Sequence, residues 1–372
     1  MKVGFYGHVR QYHNLKDDLD RAISEVLESG SFVSGPVGKR FEGELAEYAG
    51  MSGAAGVNSG TDALWLAMKA LDIGPGDEVI TTTNTFFATA EAIWIAGATA
   101  VFVDSRPDTH NIDPSKIEEA ITPKTKAIIP VHLYGQCAEM DKIAAIAKKH
   151  QLMVIEDNAQ AIDAHGDTFK VGELSDAVGT SFIIQKNLGT FGDGGAVLSN
   201  NAEVISTVKR LRNHGSAARS KHSFGFNSRL DEIHAAVLSV KLKHITEWSD
   251  QRRAVAAKYD AGLADSGLVL PTALPGYRHV YHLYVVETPV GKRNALLEFL
   301  QAQGIDAKCH YDIAIHEQEG YPWGREARIV GSMANSEHNA ATCISLPMFP
   351  ELTDAEVAYT VEQVLAWCGQ NL

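Results

Sequence analysis

Cysteine is scarce in this chain: four residues in 372, Cys137, Cys309, Cys343 and Cys368. None forms a C-x-x-C pair, which argues against zinc, and their scatter in so long a chain argues against a disulfide framework. A reducing, cytoplasmic setting is the expectation. Long apolar runs are missing too. No stretch approaches the ~18 consecutive apolar residues of a membrane helix, so no membrane partner is expected. The opening Met1-Lys-Val-Gly-Phe-Tyr-Gly-His-Val-Arg10 contains no apolar signal core. Positive charge is in deficit: 33 Lys and Arg against 46 Asp and Glu leave a net charge of −13. That opposes a broad nucleic-acid footprint, which needs a basic face. It does not exclude a local site for an anion. Fifteen histidines occur without an H-x-H or H-E-x-x-H cluster, so no metal site is expected. Neither an internal repeat nor a low-complexity tract is visible.

What remains is an ordinary globular composition, 45% hydrophobic and 21% charged, with length for two domains. Short apolar runs alternate with longer amphipathic ones, the pattern of an α/β fold. The spacing predicts helices over 16–29, with Leu15, Leu19, Ile23, Val26 and Leu27 on one stripe, over 37–48, from Asn58 to about Leu71, and over 140–149. Strands are expected at 78–82, 100–103, 127–131, 153–156, 177–182 and 195–199. They imply a mostly parallel sheet covered by helices on both faces. One long helix is predicted from Asp231 to about Ala264, polar on one side and able to bridge two domains. Residues 280–286, 294–303 and 353–369 suggest a smaller C-terminal α+β domain. The expected division is therefore 1–250 and 251–372.

Lys186 carries the most information. It follows a predicted strand and sits in the glycine-rich stretch Ser181-Phe-Ile-Ile-Gln-Lys-Asn-Leu-Gly-Thr-Phe-Gly-Asp-Gly-Gly195. Most lysines are solvated surface charges. This one gains weight from Asp157, which ends an apolar strand 29 residues earlier, where ligands bind in open α/β sheets. A lysine able to form a Schiff base, with an acid able to hold a pyridinium nitrogen, is the combination pyridoxal 5′-phosphate (PLP) requires. Glu156 competes with Asp157, and strand alternation puts the two on opposite faces.

Other residues have a chemical and a plain reading each. Asn58-Ser-Gly-Thr-Asp-Ala-Leu64 has the composition of a helix N-terminus that holds phosphate, with Gly60 letting the backbone approach closely; it also suits a helix capped by Ser59 or Thr61. Gln160 suits a ring oxygen and Ser181 a phosphate, or both are satisfied buried polar groups. Phe86 suits stacking on a cofactor ring, or a place in the core. In Gly225-Phe-Asn-Ser-Arg229, Asn227 is a polar side chain on a glycine-supported loop, and Arg229 suits a carboxylate or phosphate clamp or a surface position.

Together these segments resemble the DegT-type nucleotide-sugar aminotransferases, PLP enzymes of fold type I, and the resemblance implies a mostly parallel sheet of the seven-stranded type. The resemblance runs from Arg10-Gln-Tyr12 and Gly30-Ser-Phe-Val-Ser-Gly-Pro36 through SGTDAL, TTTNTFFATAEAI, PVHLYGQ, EDNAQA, SFIIQKNLGTFGDGGAV, LRNHGS and GFNSRLDEIHAAVL to HYDIAIHEQEGY and LPMFPELTD. It implies that Lys186 holds the cofactor, that Asp157 faces its ring nitrogen and Gln160 its ring oxygen, and that Phe86 stacks on the ring. Gly60, Thr61 and Ser181 hold its phosphate, and Asn227 reaches the phosphate in the neighbouring subunit of a homodimer. His310, Tyr311 and His316 lie where the family's small domain closes over the substrate and are its expected contacts, with the Arg229 clamp as a further substrate candidate. The implied reaction moves an amino group from an amino acid, L-glutamate by analogy, to a keto sugar carried on a nucleoside diphosphate, with pyridoxamine phosphate as the intermediate cofactor form. Lys-Asn-Leu-Gly followed by Gly-Asp-Gly-Gly looks more like the 3-keto-sugar enzymes than the 4-keto ones. Acceptors left open are a 3-keto uronic acid sugar, a 4-keto sugar and a cyclitol. A non-catalytic regulator on the same fold is the alternative from another class. The chain departs from the pattern at Ala161-Ile-Asp-Ala164, where Ala-His-Gly-Ala is usual, and at Ile183-Ile-Gln185, where an aromatic-proline pair is usual.

Overall fold

The computed structural model describes residues 1–218, 220–322 and 324–372. Its strands in chain order are β1 (Gly53–Val57), β2 (Glu78–Thr82), β3 (Thr99–Val103), β4 (Thr125–Ile128), β5 (Met153–Asp157), β6 (His165–Gly166), β7 (Ala177–Ser181), β8 (Gly195–Ser199), β9 (Tyr277–Arg278), β10 (Tyr284–Glu287), β11 (Ala327–Ile329) and β12 (Cys343–Leu346). Eight of them form one sheet in the order β1-β8-β7-β5-β4-β2-β3-β11. Strand β8 is antiparallel to both neighbours, and the other seven share one direction.

Alternation along each strand sorts the side chains into two cores. Ala55, Val57, Val79, Ala100, Phe102, Ile155, Ala177 and Val197 pack with the helices Gly60–Ala70, Ala88–Ala96 and Ala202–Leu211. Their neighbours Ala54, Val178, Ala196 and Leu198 face Pro36–Ala49 and Glu232–Leu242, while Ile80, Val101, Val103 and Val154 face Met140–His150. Burial on both faces explains why these strands read as continuous apolar runs. The helix Gly60–Ala70 lies close on β7 because Gly179 has no side chain: a Cβ there would come within 2.7 Å of Leu64 Cδ2.

Three features differ from the sequence expectation. The sheet has an eighth strand, β11, a three-residue edge too short to show a period. Strand β1 is built of Gly-Ala-Ala-Gly-Val, whose small residues carry little strand preference. The single helix predicted from Asp231 to Ala264 is two helices, Glu232–Leu242 and Ile245–Leu263, broken at Lys243 and His244. The first is packed against Lys16–Ser29 and Pro36–Ala49, while the second turns to meet Asp354–Asn371. Neither residue at the break opposes helix, so periodicity carries no sign of it.

The C-terminal residues build a separate apolar cluster around Tyr259, Tyr284, Leu296, Leu300, Ile344 and Trp367, with β10 and β12 paired antiparallel. Residue 250 falls within the helix Ile245–Leu263. Two segments cross the expected division in opposite directions: Val3 pairs with Ile305, and β11 joins the large sheet. No helix among the described residues is long and apolar enough to cross a membrane.

Candidate active site

The carboxyl ends of β5 and β7, the start of the helix Gly60–Ala70 and the loop around residue 310 enclose a cavity of about 390 Å³. Lys186, Asp157, Gly60, Thr61, Ser181, Phe86, Gln160, His310 and Tyr311 all line it. Asp157 is buried, 5% exposed. Its Oδ2 accepts the Thr89 hydroxyl at 2.8 Å, and its Oδ1 accepts the Ala159 N–H at 3.2 Å. Burial raises its pKa; the Thr89 and Ala159 hydrogen bonds and the Lys186 charge oppose that rise. Lys186 keeps part of its surface open to the cavity but is surrounded by protein, and this desolvation lowers its amine from 10.5 to about 8, against the attraction of Asp157.

Glu156 points to the other face, as alternation requires. It is bonded to His132 Nε2 at 2.6 Å, the Gly172 N–H at 2.7 Å and the Ser175 hydroxyl at 2.5 Å, so it braces the strand from behind. Both readings of the segment at Asn58 hold together. Ser59 caps the helix by accepting the Asp62 N–H at 3.1 Å, while Gly60 and Thr61 face the cavity. A Cβ on Gly60 would lie 2.6 Å from Ser181 Cβ, so glycine is what lets helix and strand close into one cradle. Phe86 is not a core residue; it is 45% exposed, with its ring 5.7 Å from that of Tyr311. Gln160 accepts the Tyr134 N–H at 2.8 Å and donates to the Tyr311 hydroxyl at 3.1 Å, which fixes the direction of its amide.

Three expected residues lie outside this cavity. Asn227 is exposed and pairs by its backbone with Asn213. Arg229 donates to Asn213 Oδ1 at 2.6 Å and lines a different pocket with Gly35 and Glu232. His316 bonds Glu337 at 3.1 Å. Conversely, sequence reasoning passed over Thr89 and His282. His282 lines the cavity, with Nδ1 bonded at 3.0 Å to Asn187 Oδ1, whose amide nitrogen is taken by the Val280 carbonyl. Burial, first, and the nearby Lys186 and Arg252 charges hold its pKa well below the usual value. The same causes, with Lys186 and Lys308 as the charges, bring His310 to about 4. Both imidazoles are neutral at pH 7, and the sequence gives no local sign of either environment.

The family model of the DegT/DnrJ/EryC1/StrS aminotransferases matches residues 13–365. The chain belongs to this family. It is 45% identical over 373 residues to a pleiotropic regulatory protein of Geobacillus stearothermophilus, covering 98% of each chain. It is 44% identical over 345 residues to the UDP-N-acetyl-3-dehydro-alpha-D-glucosamine 3-aminotransferase of Acidithiobacillus ferrooxidans, covering 92% of each. The crystal structure of S. venezuelae DesV in complex with a ketimine intermediate matches with a TM-score of 0.95 at 41% identity, over 99% of this chain and 98% of that one. The DegT-type chain is thus an aminotransferase of fold type I, dependent on PLP.

The cavity suits that cofactor by its own chemistry. An amine held near neutrality suits an aldehyde. A buried carboxylate, held by the Thr89 hydroxyl and the Ala159 N–H, suits a cationic ring nitrogen. The glycine cradle at the helix N-terminus suits a phosphate. Among the described residues, no group of three or more His, Cys, Asp or Glu could hold a metal ion.

Proposed function

We propose that this aminotransferase moves an amino group from L-glutamate to C3 of a keto hexose carried on a nucleoside diphosphate. The observation that carries the reading is the meeting of Lys186 and Asp157 in one cavity with a phosphate cradle, leaving space bounded by His310 and Tyr311. The 3-keto preference rests on the Lys186-Asn-Leu-Gly and Gly192-Asp-Gly-Gly segments, and on the 3-dehydro sugar in the name of the Acidithiobacillus relative.

In this reading Lys186, Asp157, Gln160, Phe86, Gly60, Thr61 and Ser181 hold PLP, which when bound supplies an electron-withdrawing ring that stabilises negative charge at the donor's α-carbon. Asp157 keeps a positive charge opposite its carboxylate, and Thr89 fixes its orientation. Lys186 Nζ, neutral in a useful fraction at pH 7, removes the α-proton of the donor and returns a proton at the acceptor carbon. His310 and Tyr311 face the sugar; neutral His310 and His282 add no charge that would raise the cost of the lysine's protonated form. A regulatory reading gives no reason to bury an amine and a carboxylate in one cavity, at an energetic cost.

We also propose a homodimer with shared sites. Phe32, Val33, Phe87, Phe191 and Phe224 are exposed apolar side chains, and Asn227 lies outside its own chain's cavity. In that assembly Arg229 and His316 keep their proposed substrate contacts through the second subunit or through closure. A cytoplasmic location fits four cysteines that are all free. The division into 1–250 and 251–372 stands as a proposal, with Val3 and β11 exchanged across it.

The test is a two-step assay. Cofactor-loaded protein is mixed with L-glutamate, and 2-oxoglutarate is measured. The aminated protein is then offered 3-keto and 4-keto hexoses on dTDP, UDP and GDP, a 3-keto uronic acid nucleotide, and free inososes. Amine transfer to a 3-keto hexose nucleotide is the expected result. Faster transfer to a 4-keto sugar or an inosose overturns the substrate assignment, and no 2-oxoglutarate overturns the donor.

A further inference from the structure

A second cavity of about 270 Å³ lies on the opposite face of the same two strand ends. Its walls are apolar: Leu45, Met51, Ile162, Val178 and Leu198. Asn158 and Thr180 also line it. Each is the chain neighbour of a residue that lines the cofactor cavity, Asp157 and Ser181. The two pockets are therefore back to back across one layer of backbone. That layer is tied together locally, since the Asn158 N–H donates to the Gly179 carbonyl at 2.8 Å and the Thr180 hydroxyl to the Asn158 carbonyl at 3.3 Å.

Asn158 is 7% exposed, and its side-chain Oδ1 has no hydrogen-bond partner. A buried amide oxygen left unpaired is unfavourable, and the natural remedy is a donor from something in the cavity. The mouth has a different character. His165 and Lys170 stand there, and Lys170 is exposed and makes no ion pair among the described residues. Asp163, the acid on this wall, is already occupied by Tyr48 at 2.5 Å and by Arg278 at 2.9 Å. The cavity thus offers an acceptor at its base, apolar sides and a free cation at its rim.

We propose that this cavity binds a small aromatic acid carrying a ring N–H, and that its occupancy is linked to that of the cofactor cavity. The ring lies between Leu45, Met51 and Leu198, the N–H meets Asn158 Oδ1, and the carboxylate meets Lys170. Its volume, at the low end for ligand pockets, suits one or two fused rings. The linkage follows from the shared strand ends: a ligand that pulls on Asn158 acts on the residue next to Asp157.

Indole-3-acetate is the probe, and 1-naphthaleneacetate, similar in shape but without the N–H, is its control. Titration calorimetry on cofactor-loaded protein should show one saturable site per chain for the indole and roughly tenfold weaker binding for the naphthalene. Lys170→Ala, at an exposed position, should weaken the indole several-fold, less so in high salt. Ala49→Trp, which fills the cavity, should abolish binding while the protein still takes up one cofactor per chain at saturating cofactor. Affinity should differ between cofactor-free and cofactor-loaded protein, and saturating probe should change cofactor affinity by the same factor. No saturable binding, equal binding of the two acids, or undiminished binding in both variants overturns the site. Equal affinity in the two cofactor states overturns the linkage.

Discussion

If the Lys186 amine sits at about 8 instead of 10.5, its reactivity with an aldehyde must follow that value. At pH 7 about one amine in ten is then neutral, against roughly three in ten thousand for an ordinary lysine, an advantage of about 300-fold. The assay mixes cofactor-free protein with PLP, quenches with borohydride at intervals, and measures label at residue 186 by peptide mass. The phosphate is halfway through its second ionisation near pH 6 and largely past it by pH 7, so the series runs from pH 7 to pH 10. The capture rate should climb steeply up to about pH 8 and then flatten. Asp157 supplies a check of sign. Its charge favours protonated Lys186, so Asp157→Asn should move the flattening to lower pH. A rate that climbs steadily to pH 10, or a flattening that moves upward in Asp157→Asn, refutes the desolvated amine.

Lys186→Ala should retain no label after borohydride and no 2-oxoglutarate production; turnover in this variant removes the lysine from the mechanism. Asp157→Asn should lower glutamate half-reaction rates by about 10²–10³-fold, from lost stabilisation of charge, with stopped-flow absorbance as the readout. Gly179→Ala drives a methyl toward Leu64 and should cost about 1–3 kcal/mol in urea unfolding. Glu232, fully buried, accepts the N–H groups of Gly35, Val37 and Gly38 at 2.8–3.0 Å. Glu232→Ala leaves those donors unpaired and should cost about 2–3 kcal/mol in the same measurement.

Much of the fold was legible because its rules are local. Apolar runs bounded by turns marked most of the parallel strands, and stripes such as Leu19 and Val26 marked helix faces. The pairing of a strand-end acid with a lysine in a glycine-rich turn singled out Asp157 and Lys186, since both types are costly to bury without chemical purpose. Alternation put Asp157 and Glu156 on opposite faces, but only the structure shows which face carries the cavity.

The rest depends on what the chain brings together over long separations. Thr89 lies 68 residues from the carboxylate it orients, and His282 lies 95 residues from Asn187. No period or motif links such pairs. The break at Lys243 and His244 arises because successive helices must pack on different partners, and β11 is a strand only because β3 has a free edge beside it. Sequence by itself set the types of element and the chemistry available. Tertiary structure set how far each amine, carboxylate and imidazole is withdrawn from water, because desolvation is a property of the enclosure and not of the residue.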